Sequence, residues 1–100
     1  MSAPVIRRVV VRGRVQGVGF RAFVEDEARG RRLAGWVRNR RDGSVEAVFA
    51  GPLDQVDDMM AAVRRGPRSA RVDGMDVDVA GDVELSQRLP GELFSVLRTI

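Results

Sequence analysis

The chain has no cysteine and no histidine among its 100 residues. Without cysteine there is no disulfide framework and no thiol chemistry. Without histidine, the usual general base and the commonest metal ligand are missing. Tyrosine is absent, and Trp36 and four phenylalanines are the only aromatic residues. No apolar run approaches the about 18 residues that span a bilayer as a helix. Met1-Ser2-Ala3-Pro4 leads directly into a strand pattern, so no secretory leader is expected and the expected location is cytoplasmic. What remains is 44% hydrophobic, enough for a core without cross-links, and residues 1–100 read as a single domain.

All 17 basic residues are arginine, a usage to which we attach no function. Their distribution is uneven. Residues 1–41 hold 11 arginines against Glu25, Asp26 and Glu27, a net charge of +8. Residues 42–100 carry a net −5. A positive half of this kind concentrates anionic ligands, whether small molecules or nucleic acid.

The most informative stretch lies in that half. Gly13, Gly17 and Gly19 fall between the β-branched run Val9-Val10-Val11 and a helical pattern that begins at Phe20. Glycines let the backbone turn tightly and bring several N–H groups to one point. A helix starting there adds its own free N–H groups and the positive end of its dipole. Arg21, in the first turn, adds a planar fork that matches phosphate oxygens. A strand, glycine loop, helix and arginine in this order form a candidate phosphoryl site. The spacing is neither that of a Walker A loop nor Gly-x-Gly-x-x-Gly. On composition alone, a flexible turn before a helix explains the glycines equally well.

Periodicity gives the elements. Ile6–Val15 reads as a half-buried strand, with Val9, Val11 and Val15 on one face and Arg8, Arg12 and Arg14 on the other. Phe20, Phe23, Val24 and Ala28 form one face of a helix that stops near Gly30. Leu33–Asn39 reads as a second strand, and Asp42-Gly43 as a turn into a third, Val45–Ala50. Pro52 sits where a second helix starts. Leu53, Val56, Met60 and Val63 form its apolar stripe, with Met59 and Met60 as core fillers, and Gly66-Pro67 ends it. Ala70–Val79 reads as a fourth strand bulged near Gly74, residues 80–92 as a polar loop, and Phe94–Arg98 as a short last strand. Trp36 is expected on the sheet face away from the helices.

This order, β-α-β-β-α-β plus a short terminal strand, predicts an α+β fold: a ferredoxin-like α/β sandwich with two helices on one face of an antiparallel sheet. Strands one and two are joined through a helix and so run parallel. Their C-terminal ends, which carry the glycine loop and Asn39, then meet at one end of the sheet.

Residues 13–21 match throughout the phosphate loop of the acylphosphatase family, Gly-x-Val-Gln-Gly-Val-x-Phe-Arg, and residues 35–39 match its second motif, Gly-Trp-Val-x-Asn. The chain resembles that family over about its first three quarters, through Asp42-Gly43-Ser44-Val45-Glu46 and Gly66-Pro67-x-x-Ala70. The likeness fades between Asp78 and Glu92 and returns weakly at Phe94-Ser95-Val96. The residue after the asparagine, often threonine in the family, is Arg40 here, which bears on the polarity of the pocket.

The residues can do the chemistry that the resemblance implies. Neither motif contains a serine, cysteine, histidine or lysine, so the nucleophile is expected to be water. A phosphoryl group would be bound by Val15, Gln16, Gly17, Val18, Gly19 and Phe20, through backbone N–H groups from about Gln16 onward, and by Arg21. The Asn39 carboxamide can both donate to and accept from the water. A carboxylate is a good enough leaving group to need no strong base. The resemblance implies metal-free hydrolysis of small acyl phosphates, with Arg21 and Asn39 as catalytic residues and no cofactor. Glu25-Asp26-Glu27 reads as a solvated face and not as a metal site. A monomer that binds neither nucleic acid nor membrane is expected.

Two rival readings remain. The same fold can serve as a non-catalytic anion sensor or docking domain. RNA-recognition modules share the element order, but their sheet carries an aromatic platform that the stretch Arg41–Phe49 lacks.

Overall fold

In β1 (Pro4–Arg14), alternation sends Val9 and Val11 to one face and Arg8, Val10 and Arg12 to the other. The computed structural model describes residues 4–100, so residues 1–3, on which the expectation of no leader rests, lie outside it. After β1 come α1 (Phe20–Gly30), β2 (Ala34–Asn39) and β3 (Val45–Pro52). The chain continues through α2 (Leu53–Arg65), β4 (Arg71–Val79), α3 (Asp82–Leu85) and β5 (Phe94–Val96). The strands form one sheet in the order β4-β1-β3-β2-β5. The helices α1 and α2 pack on the face that presents Val9, Val11, Val37, Val45, Ala47 and Phe49. This is the ferredoxin-like α+β sandwich, and among the described residues no helix is long and apolar enough to cross a membrane.

Helix α1 buries Phe20, Val24 and Ala28, one stripe at a helical spacing. Removing a side chain the size of Phe20 or Val24 from water contributes about 1.5–3 kcal/mol each. The helix ends at Gly30, but the left-handed residue that turns the chain is Arg32 (φ 56°), and Leu33 N–H donates to the Ala28 carbonyl at 3.0 Å. In α2 the buried stripe is Val56, Met59, Ala62 and Val63. Met60 is only partly buried and Leu53 is exposed, so the stripe is rotated from the one expected. Residues 56, 59 and 63 fit a helical period as well as 53, 56, 60 and 63 do; contact with the sheet chooses between them. The expected bulge is present: Arg12 pairs with Gly74 and Gly13 with Val72, which leaves Asp73 unpaired.

Two expectations need correction. The sheet is mixed, because β5 runs parallel to β2, pairing Gly35 with Phe94 and Val37 with Val96. Residues 80–92 are not only loop, because α3 forms within them and covers the second face of the sheet. There it meets Trp36, which is 1% exposed, and the indole Nε1–H donates to the Glu84 carbonyl at 2.7 Å. Trp36 therefore lies on the face away from α1 and α2, as expected.

The same face holds Glu46, whose side chain is 4% exposed. Arg38 Nε donates to its Oε1 at 2.8 Å, Arg8 Nε donates to its Oε2, and the Arg40 guanidinium lies 3.7 Å away. Burial alone would push the Glu46 carboxyl up, but the hydrogen bonds from Arg38 and Arg8 outweigh it and hold the pKa below the ordinary range. A depressed folded pKa stabilises the protein above the unfolded value, about 4.5, and that contribution is lost as pH falls through the folded value. Replacing Glu46 by glutamine takes from Arg8, Arg38 and Arg40 the buried carboxylate they share. Thermal melts at pH 7 should show Tm lower by roughly 5–10 °C, equivalent to about 1–2 kcal/mol. Between pH 5 and 3 the variant should lose less stability than the wild type; parallel acid curves would contradict this account.

Candidate active site

Strands β1 and β2 both pair antiparallel with β3, so they run the same way with β3 between them. Val11 and Asn39 face the same residue, Val45, from its two sides. They are thus two strand spacings apart, roughly 10 Å. The loop that follows β1 arches across the start of β3 and brings Gln16 to the hairpin after Asn39. Gln16 Nε2 donates to the Arg40 and Ser44 carbonyls, both at 2.8 Å.

The loop is shaped by two left-handed residues, Gly17 (φ 74°) and Gly19 (φ 78°). Any other L-residue is strained there, whereas a Cβ at either position would meet only open space. These glycines are therefore required for backbone conformation, not for close packing. Gly19 is the residue before α1, and it supplies no side-chain cap. The Phe23 N–H is the first to bond in the helix, to the Gly19 carbonyl at 3.0 Å. No backbone N–H from Gln16 through Ala22 donates to another described residue. The first turn of α1 also contains no acidic residue. An unbroken run of free donors at a helix start is an anion cradle.

A cavity of about 510 Å³ opens on this run. Val15, Gln16, Gly17, Gly19, Phe20, Arg21 and Asn39 line it, so the structure brings both sequence motifs to one place. Val18 does not line the cavity; its side chain packs against the core and its carbonyl accepts from Ser69 Oγ at 3.3 Å. Among the described residues, Arg21 makes no ion pair or hydrogen bond, and the Asn39 carboxamide is likewise unbonded. Glu25, which could have paired with Arg21 one turn away, pairs instead with Arg29 at 3.1 Å. The Asn39 backbone is held by its pairing with Val45 and by Ile100 N–H, which donates to its carbonyl at 3.3 Å.

Free N–H donors, an unpaired guanidinium and an unbonded carboxamide around one cavity are suited to binding a phosphoryl group and a water beside it. The acylphosphatase family model matches residues 7–88. An acylphosphatase of Bradyrhizobium diazoefficiens is 58% identical over 95 residues, which cover 95% of this chain and 96% of that one. The chain belongs to the acylphosphatase family. One of Nitrobacter hamburgensis is 59% identical over 97 residues, covering 96% of this chain and 97% of that one. The crystal structure of acylphosphatase from Bacillus subtilis superposes with a TM-score of 0.79 at 40% identity, covering 93% of this chain and 98% of that one. As an acylphosphatase, the enzyme hydrolyses acyl phosphates to a carboxylate and inorganic phosphate.

Three further residues line the acylphosphatase cavity that the sequence did not assign to the site: Ala22, Val96, and Glu25, which reads in the sequence as part of a solvated face. Glu25 could have been found, because it lies one turn from Arg21 on the same face of α1, and Ala22 because it lies one turn from Glu25. Val96 could not, since nothing local places β5 beside β2. Arg40, the departure from the family pattern, does not line the cavity. Alternation along β2 carries Arg38 and Arg40 to the Glu46 face and Asn39 to the other.

Proposed function

We propose that this cavity is where the acyl phosphate is hydrolysed, with the N–H groups of the glycine loop and Arg21 binding the phosphoryl group and Asn39 holding the attacking water. The observation that carries the reading is the run of unbonded N–H groups beside an unpaired Arg21 in the cavity that Asn39 also lines. Water attacks phosphorus, the bond from phosphorus to the bridging oxygen breaks, and the carboxylate leaves with that electron pair. The proton of the water passes to solvent. Charge grows on the phosphoryl oxygens in the transition state, where fixed donors stabilise it most. The carboxylate needs no general acid, in keeping with a chain that has no histidine. The apolar walls beyond the loop, Ala22 and Val96, suit a small acyl group.

The reaction proposed is independent of metal. Its support is the donor set itself: among the described residues no group of three or more acidic, histidine or cysteine side chains converges. The protein is proposed to act on small molecules alone. Phe20, Phe49, Phe94 and Trp36 are buried, and Phe23, half-buried, packs against the core from α1, so the sheet presents no aromatic platform to a nucleic acid. It is proposed to be a monomer, since edge strand β4 exposes Arg71, Asp73, Asp76 and Asp78, charges that oppose edge pairing. The absence of cysteine suits the proposed cytoplasmic location. The test is hydrolysis of benzoyl phosphate by the purified protein in EDTA. Full activity should persist, and kcat should stay nearly flat from about pH 5 to 7.5, because no side chain ordinarily titrates in that range. Activity that fell in EDTA and returned with magnesium or zinc would overturn the metal-free mechanism.

A further inference from the structure

Backbone N–H groups explain why residue 16 lies in the loop, but they do not explain why it is a glutamine. Its Nε2 uses both protons, on the Arg40 carbonyl and the Ser44 carbonyl. Those two carbonyls bound the hairpin that directly follows Asn39. The hairpin already closes on itself, since Arg40 N–H donates to Ser44 O at 2.9 Å and Gly43 N–H to Arg40 O at 3.1 Å. Gln16 adds a second closure from outside. Among the described residues it makes the only hydrogen bonds between the loop of residues 15–19 and the segment 39–44. Because β3 separates β1 from β2, no strand ladder joins the phosphate cradle to Asn39 at this end of the sheet.

We propose that the Gln16 side chain is a positioning residue for hydrolysis: it fixes the spacing between the phosphate cradle and Asn39, so that the water lies in line with the bond that breaks. This inference rests on the roles given above to the cradle and to Asn39. A side chain with two donor protons is required. Methionine fills similar space and donates nothing. Glutamate sets a carboxylate against two carbonyl oxygens. Asparagine keeps the amide but is one methylene short. In each variant the backbone N–H groups and Arg21 remain, so phosphate is still bound; what is lost is alignment with Asn39.

The experiment measures kcat on benzoyl phosphate, the inhibition constant of inorganic phosphate and Tm. The variants are Gln16→Met, Asn39→Ala and the double variant. Gln16→Met should lower kcat about tenfold or more and shift the phosphate inhibition constant by about threefold at most. In the Asn39→Ala background, Gln16→Met should cost less than about twofold in kcat, because two groups that act as one unit do not add. If Gln16→Met does not fold, Gln16→Asn is expected to give the same split. Additive losses in kcat, a loss of phosphate affinity as large as the loss of kcat, or a lower Tm with normal kcat would each overturn the proposal while leaving the role of Asn39 intact. Normal kcat in Asn39→Ala alone would overturn the role of Asn39, and this inference with it.

Discussion

Arg21→Ala is expected to lower kcat/KM for a small acyl phosphate by about a thousandfold or more, or about 4 kcal/mol of transition-state stabilisation. Arg21 is the cation that lines the cavity, and among the described residues no carboxylate pairs with it: Glu25, which lines the same cavity, pairs with Arg29. Its two parallel N–H groups can meet two phosphoryl oxygens together, and charge-assisted bonds of this kind contribute about 1.5–3 kcal/mol each. The phosphoryl group is anionic before reaction and gains charge on its oxygens during it, so binding and rate should fall together. The affinity for inorganic phosphate should drop in parallel. Arg21→Lys should recover little, since an ammonium is a point charge and cannot reproduce the fork. Stability should hardly change, because the side chain makes no hydrogen bond or ion pair with described residues. Steady-state kinetics, phosphate inhibition and a thermal melt on one preparation check all of this. A variant with normal phosphate affinity would remove Arg21 from the binding site.

Asn39→Ala is expected to cost about a hundredfold in kcat and to leave phosphate affinity within about threefold. Asn39 lines the cavity but does not belong to the cradle, and its carboxamide has no partner among the described residues. An interaction with the attacking water is realised mainly in the transition state, so its removal shows in kcat and not in ground-state binding. The backbone at residue 39 is held by Val45 and Ile100, which do not depend on the side chain. Asn39→Asp tests the same point from the other side, since a carboxylate accepts from water but cannot donate, and it adds repulsion toward the phosphoryl group. If Asn39→Ala keeps its kcat, or loses phosphate as badly as Arg21→Ala, water positioning is not its role.

The chain's local features were legible before folding because their causes are local. Gly17 and Gly19 precede a change from strand to helix period, and a loop with left-handed residues at a helix start needs no distant partner to form. The parallel course of β1 and β2 followed from the helix between them, and with it the meeting of the glycine loop and Asn39. The bulge near Gly74 and the burial of Trp36 on the second face were equally readable.

Tertiary structure decided what depends on contacts between distant segments. Arg21 and Arg29 each lie four residues from Glu25, one turn to either side, so spacing alone does not choose between them. Glu25 pairs with Arg29, which also donates to the Phe94 carbonyl at 3.0 Å, so the place of β5 leaves Arg21 unpaired in the cavity. The parallel pairing of β5, and with it Val96 in the cavity wall, had no signal in a three-residue strand. Helix α3 was invisible because four residues are too few for an amphipathic period, and only the sheet face beneath it explains its position. Both methionines of α2 pack on the core as expected, but Met59 is the fully buried one and Met60 only partly so, for a related reason: adjacent residues lie 100° apart on a helix, and only the surface it docks against selects between them. The sequence by itself determined which groups reach the site; packing determined which of them remained unpaired there.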